Sequence, residues 1–261
     1  MKKTLLSLAF LLVLAFRSFS QSHFADSLSN LLRHHPQQDT LRASWLNELS
    51  EHIELMPHGS DSLSRQALLL SRSIHYRSGE IIALGLQSSA QARMGNTEEA
   101  LEMAEQALVK ARKRHNPRLI AHALWRLAFV YRYQRKYSVA LATSQQALQR
   151  ARQVRDKELE GKVLNELGLA HLQQKDTPQG MEYFQQSLSA LSVAPSLKNQ
   201  SVQADILRNI ASLHNIEGAI LPAAEFALQA LEACRRAKDS YRAIFIYSLL
   251  SSIYNSLEEP A

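Results

Sequence analysis

The sequence predicts an all-α protein: a right-handed superhelical solenoid of about five helical hairpins plus a terminal helix. Three observations predict it. First, the 261 residues are 46% hydrophobic and contain only 8 Gly and 7 Pro, so the chain is poor in turn formers and rich in helix formers. Second, one short pattern recurs at a period near 40 residues, and such periods mark solenoids. Third, each of the four middle copies is followed by a second pattern of small residues at helical spacing.

The chain opens with Lys2 and Lys3, then an apolar run from Leu5 to Phe16 broken only by Ser7, then Ser18 and Ser20. A membrane-spanning helix needs roughly 20 apolar residues. A basic start, a shorter apolar centre and small residues before the cut fit an export signal over residues 1–20, with Arg17 as its one unusual feature. Its removal lowers the net charge from +6 to +3. The mature chain is expected to be exported, periplasmic or secreted in a bacterium, with no membrane span. Residues 241–254 come closest to one and are too short and too polar. Cys234 is the only cysteine, which excludes a disulfide framework and a cysteine-based zinc site.

Residues 21–40 read as a leader that caps the stack, and the solenoid is assigned to 41–261. Its first-helix pattern is clearest as Leu124-x2-Leu127-Ala128-x2-Tyr131, Leu164-x2-Leu167-Gly168-x2-His171, Leu207-x2-Ile210-Ala211-x2-His214 and Tyr247-x2-Leu250-Ser251-x2-Tyr254. Weaker copies are Leu46-x2-Leu49-Ser50 and Leu84-x2-Gln87-Ser88. The small residues therefore fall at 50, 88, 128, 168, 211 and 251. Second helices carry Ala100, Ala104 and Ala107; Ala140, Ser144 and Ala147; Gly180, Phe184 and Ser187; and Ala223, Ala227 and Ala230. Offsets of four and three put each set on one face, where small side chains let two helix axes approach. Gly95-Asn96, Arg135-Lys136, Lys175–Pro178 and Glu217-Gly218 mark the turns, with Thr97 and Thr177 as expected caps. The last copy supplies a first helix only, which is expected either to dock on the fifth hairpin or to belong to something longer.

These residues resemble the tetratricopeptide repeat, whose signature is W-x2-L-G-x2-Y, then A-x3-F, then P, on a 34-residue period. Here Leu or Tyr replaces the leading Trp, Trp125 falls one residue late, and the closing Pro is missing from most copies. HEAT and armadillo repeats have similar periods; the small second-helix pattern favours the tetratricopeptide reading. The resemblance implies a groove lined by first helices that holds a protein or peptide partner. It places Trp125, Arg126, Phe129, Arg132 and Tyr133 there, followed by Asn165, then Arg208 and Asn209. The export signal, the long repeats and the D-T-L-R-x3-L-N-E-L-S start at Asp39 also resemble the extracytoplasmic region of bacterial two-component sensor histidine kinases.

No catalytic signature is present. The sequence has no Gly-rich phosphate loop, no G-x-S-x-G and no H-E-x-x-H, so no enzymatic activity and no cofactor or metal is expected. His171 and His214 take the ring position of the repeat and are expected to pack within their hairpins. Residues 110–162 hold 14 Lys and Arg against 3 Asp and Glu, a net +11, between flanks of net −5 (23–109) and −3 (163–261). This basic belt is either a docking surface for an acidic partner or a solvated face paired with acidic neighbours; both readings stay open. An exported chain with few stacking residues is a poor nucleic-acid binder. The expected function is a non-enzymatic interaction scaffold, with the sensor-type module as the alternative.

Overall fold

Each helix starts and stops for local reasons that repeat down the chain. The computed structural model describes residues 23–193 and 196–258; the expected export signal, residues 1–20, lies outside them. The described residues form twelve α-helices and no strands. A leader helix, α1 (His23–His34), precedes hairpin 1, α2 (Thr40–His52) and α3 (Pro57–Ser73). Hairpin 2 is α4 (Arg77–Arg93) and α5 (Thr97–Lys113), and hairpin 3 is α6 (Pro117–Tyr133) and α7 (Tyr137–Gln153). Hairpin 4 is α8 (Lys157–Gln173) and α9 (Thr177–Ser192), hairpin 5 is α10 (Leu197–Ile216) and α11 (Ile220–Ala237), and α12 (Ser240–Glu258) follows.

Most junctions are the same three-residue turn. Its middle residue is left-handed: Gly95 (φ 92°), Arg135 (φ 60°), Arg155 (φ 55°) and Lys175 (φ 65°). The next N–H reaches back five residues, as in Asn96 N to Gln91 O (2.9 Å), Lys136 N to Tyr131 O (2.9 Å) and Asp176 N to His171 O (3.0 Å). This Schellman closure satisfies the last carbonyls of one helix, and its final residue becomes the N-cap of the next. Asn116, Asp156 and Asp176 accept from the backbone N–H three residues on. The caps of α5 and α9 are therefore Asn96 and Asp176; Thr97 and Thr177 are the first helical residues, one position later than expected. One residue serving both helices makes the turn that much shorter.

The small second-helix residues do what their spacing implies. Ala100, Ala104, Ala107, Ala140, Ala147, Ala223, Ala227 and Ala230 are all fully buried. Gly168 is needed for the same close approach: a Cβ there would lie 2.6 Å from the ring of Phe184, itself fully buried on α9.

The fold divides into two compact units: Leu28–Pro195, with hairpins 1–4, and Ser196–Ala261, with hairpin 5 and α12, the latter also taking in the start of α1 up to Ser27. In the first, Ile81, Leu84, Leu124, Leu127, Val163, Leu164 and Leu167 lie in one continuous apolar core. There the first helices pack in sequence, α2 on α4, α4 on α6 and α6 on α8, while the second helices of successive hairpins lie apart. Helices that touch on one side and spread on the other curve the stack, so α2, α4, α6 and α8 form its inner face. In the second unit, Ala243, Ile246, Leu250 and Ile253 of α12 are buried in a core with Ala223, Ala227 and Ala230. This last helix docks on α10 and α11. No helix among the described residues is long and apolar enough to cross a membrane.

Candidate functional site

The inner face of hairpins 1–4 carries alternating arginines and rings. Two positions before the small residue of hairpin 3 stands Arg126, and four after it stands Arg132. Both project from α6, seated on aromatic neighbours of the same helix. Arg126 Cζ lies 3.9 Å from the Trp125 ring centroid. Arg132 Cζ lies 5.0 Å from the rings of both Phe129 and Tyr133, and Arg93 Cζ lies 4.9 Å from Phe129. Phe129 and Tyr133 stack at 4.7 Å, one turn apart. Such contacts hold a planar guanidinium in one orientation.

Arg126 is fully buried, and its charge is met from far along the chain. Nη2 donates to Glu51 Oε1 (3.0 Å) and Nη1 to Glu54 Oε2 (3.0 Å) and Ser89 Oγ (3.3 Å). Lys162 Nζ on α8 reaches the same Glu51 carboxylate (2.9 Å) as well as Glu158 (2.6 Å). Arg93 lies 3.9 Å from Glu54. Hairpins 1, 2, 3 and 4 are thus joined by one cluster of charges across the inner face. Gly85 makes room for it, since a Cβ there would come 3.0 Å from Arg126 Cγ.

Arg132 is held by Glu166 of α8 through both Nε and Nη2, the latter at 3.2 Å. Arg132 and Glu166 are 7% and 3% exposed. Burial works against the Arg132 charge, but the Glu166 carboxylate outweighs it and holds the guanidinium above its ordinary pKa.

The structure brings Trp125, Arg126, Phe129, Arg132 and Tyr133 together, with the half-buried Asn165 on neighbouring α8. Their burial differs from an open groove: Trp125, Arg126, Phe129 and Arg132 are covered, and Tyr133 and Asn165 are the half-exposed members. Arg208 (half-buried) and Asn209 (buried) lie on α10 in the second unit. Sequence reasoning missed Glu51, Glu54, Ser89, Arg93 and Lys162. A signal was there: Glu51, Ser89, Phe129 and Leu169 each follow the small residue of their copy, so Glu51 occupies the Phe129 position of the repeat.

The basic belt separates into three groups. Arg126, Arg132 and Lys162 face inward. Lys110, Arg118, Arg152 and Lys157 pair on the outside with Glu80, Asp156, Glu160 and Glu160. Burial opposes the charge on these carboxylates, but the neighbouring cations hold Glu80 and Glu160 below the usual range, and for Asp156 the Leu159 N–H and Arg118 do so. Arg112, Lys113, Arg114, Arg135, Lys136, Arg150 and Arg155 are exposed. His171 stacks on Tyr183 (5.3 Å) and meets Asp176 (3.0 Å), and His214 stacks on Phe226 (5.4 Å), so both pack within their hairpins. Cys234 is buried in the second core, and burial pushes its thiol pKa far up.

With this geometry in place, the comparisons agree on one class of fold. Residues 119–192 match the tetratricopeptide repeat family model. No curated protein sequence matches the chain. Among solved structures, the chain is similar to a Rap protein complexed with competence and sporulation factor (14% identity, TM-score 0.54), over 83% of this chain and 65% of that one. It is also similar to a signal-transduction ATPase with numerous domains and a tetratricopeptide repeat sensor from Pyrococcus horikoshii (16%, TM-score 0.57; 81% and 34%). The apo quorum sensor NprR from B. thuringiensis matches too (11%, TM-score 0.52; 90% and 72%). The chain thus spans about two thirds of the Rap protein and one third of the ATPase. The fold is a tetratricopeptide-type helical solenoid, and residues 119–192 are the part that matches the family model.

Proposed function

We propose that the chain is a non-enzymatic interaction scaffold whose partner, a peptide or protein, sits on the inner face of α2, α4, α6 and α8. The observation that carries the reading is the half-exposed Tyr133 on α6 beside the half-exposed Asn165 on α8, set on the packed row of Trp125, Arg126, Phe129 and Arg132. Aromatic and guanidinium groups fixed by packing lose little conformational freedom on binding, and these residue types dominate the energetics of interfaces. A curved inner face of parallel first helices also offers a partner several hairpins at once.

The exported location is part of the proposal and rests on Lys2, Lys3, the apolar run to Phe16 and the small residues at 18 and 20. A sensor-type role is the second reading. It draws support from the fold shared with a quorum sensor, a protein with a tetratricopeptide repeat sensor and a Rap protein complexed with competence and sporulation factor.

The test is partner capture with the full chain. Tyr133→Ala/Asn165→Ala changes the inner face, and Glu102→Ala/Gln106→Ala changes the exposed outer surface of α5. The proposal expects the first pair to lose the captured partner and the second to keep it. Capture that survives the inner-face change and fails with the outer one overturns it.

A further inference from the structure

We infer that Glu51 and Glu54 are an internal occupant of the partner site, and that the partner's contacting segment is acidic. Two of its carboxylates would take the place of Glu51 and Glu54 on Arg126. The inference rests on the inner face being the partner site; it adds what the site takes and what holds it shut.

The receptor and its occupant come from different hairpins. Gly85 and Ser89 on α4 and Trp125 and Arg126 on α6 build the receptor. The Arg126 fork is fully buried, seated at 3.9 Å on Trp125, and each terminal nitrogen donates to a separate carboxylate at 3.0 Å. A guanidinium fixed this way recognises paired carboxylates by geometry as well as charge. Both carboxylates arrive from hairpin 1, 72 and 75 residues away in sequence. Lys162 adds a tie from hairpin 4 across 111 residues. The receptor is therefore complete without hairpin 1, whose contribution here is to fill it.

The occupant is also the replaceable part. Glu51 lies in the last turn of α2 and Glu54 in the four-residue turn before α3, and their side chains are 17% and 19% accessible. Among the described residues, Arg126 and Arg93 each keep a buried Nε with no hydrogen-bond partner. Charged donors left unfilled are costly, and an arriving segment with carboxylates and free backbone carbonyls offers them acceptors.

The buried charge on Arg126 selects the class of partner. Arg126 and Lys162 meet Glu51, Arg126 and Arg93 meet Glu54, and Lys162 also meets Glu158. A segment that takes Glu51 and Glu54 off the fully buried Arg126 must bring carboxylates to it, so an acidic segment enters by exchange, pair for pair. A neutral or basic segment has no charge to trade for the two glutamates. Exchange also frees hairpin 1 from hairpins 3 and 4, so binding and opening are one event. The affinity seen in solution is the receptor's own, reduced by the fraction of molecules in which the glutamates have left it.

The test uses a fluorescein-labelled octapeptide of alternating glutamate and glycine, its glutamine counterpart, and fluorescence anisotropy on the full chain. The inference expects Glu51→Gln/Glu54→Gln to bind the acidic peptide at least about ten-fold more tightly than the unmodified chain. Adding Arg126→Gln should abolish the gain, and the glutamine peptide should bind to none of them. Equal Arg126-dependent affinity with and without the two glutamates overturns the occupant and leaves the inner-face reading standing. Absence of Arg126-dependent binding in every variant overturns the acidic class, while partner capture still judges the face. Should the double variant fail to fold, the unmodified chain supplies a second readout. Carbodiimide should join Lys162 to Glu51, which sit 2.9 Å apart, and excess acidic peptide should divert the Lys162 cross-link to itself. An undiminished Lys162–Glu51 cross-link in excess peptide overturns the inference.

Discussion

Replacing Arg132 by Met tests whether the buried pair with Glu166 acts as a unit. The two side chains are 8% and 4% accessible, so the change leaves a carboxylate enclosed without its guanidinium. Removing one member of a buried pair costs about 3–5 kcal/mol. Loss of contact with Phe129 and Tyr133, each 5.0 Å from the guanidinium, adds about 0.5–1 kcal/mol per ring. Glu166→Leu strands the guanidinium instead, but the two rings remain beneath it, so its cost sits at the lower end of that range. Arg132→Met/Glu166→Leu removes both charges and keeps apolar volume, which brings the loss down to about 1–2 kcal/mol. The expected coupling is therefore on the order of 3 kcal/mol or more, read from urea denaturation of the four proteins at neutral pH by circular dichroism. Two single variants that each lose under about 1 kcal/mol, or a coupling near zero, would show that Arg132 and Glu166 do not act as a unit.

Three further outcomes follow from the same geometry. Gly168→Ala places a Cβ 2.6 Å from the buried Phe184 ring, and overpacking should outweigh the gain in helix propensity, costing about 1–2 kcal/mol and lowering the melting temperature by several degrees. Gly95→Ala meets no atom within 4 Å, so its loss of about 1 kcal/mol comes from the backbone alone, at φ 92°; an unchanged melting temperature would remove the left-handed turn from the account. Glu80, Asp156 and Glu160 have folded pKa values below their ordinary 4.5, 3.8 and 4.5, so their contribution is present above those values and lost as pH falls through the lower, folded ones. Stability should fall on acidification below about pH 4.5, and Glu160→Gln should flatten that limb of the curve.

How much of this was legible depended on distance along the chain. The hairpins were legible because their signals are local. Leu124, Leu127 and Ala128 declare a first-helix face within four residues, and Ala140, Ser144 and Ala147 a second-helix face within seven. The second helix of hairpin 1 escaped notice because serine stands where alanine stands elsewhere: Ser60, Ser64, Ala67 and Ser71 form the same buried stripe. The Ser50 and Ser60 hydroxyls answer each other at 3.0 Å, so the polar substitution is matched on both helices. Arg126 shows the opposite limit. Its place on the first helix could be read from α6, but its burial depends on Glu51 and Glu54, more than 70 residues away and brought near by the curvature of the stack. Composition alone likewise made the basic belt look like one surface. Three of its 14 cations are met by carboxylates of hairpins 1 and 4, four share charges with Glu80, Asp156 and Glu160, and seven are exposed.

The measurement that bears most directly on the inner face as the partner site is hydrogen exchange of the full chain, free and with captured partner. Helices in direct contact with a partner open less often, so their amides exchange more slowly. A partner on the inner face adds protection in α4, α6 and α8, centred on residues 125–133 and 162–166, and leaves the outer helices α5 and α7 unchanged. Added protection confined to α5 and α7 would contradict it.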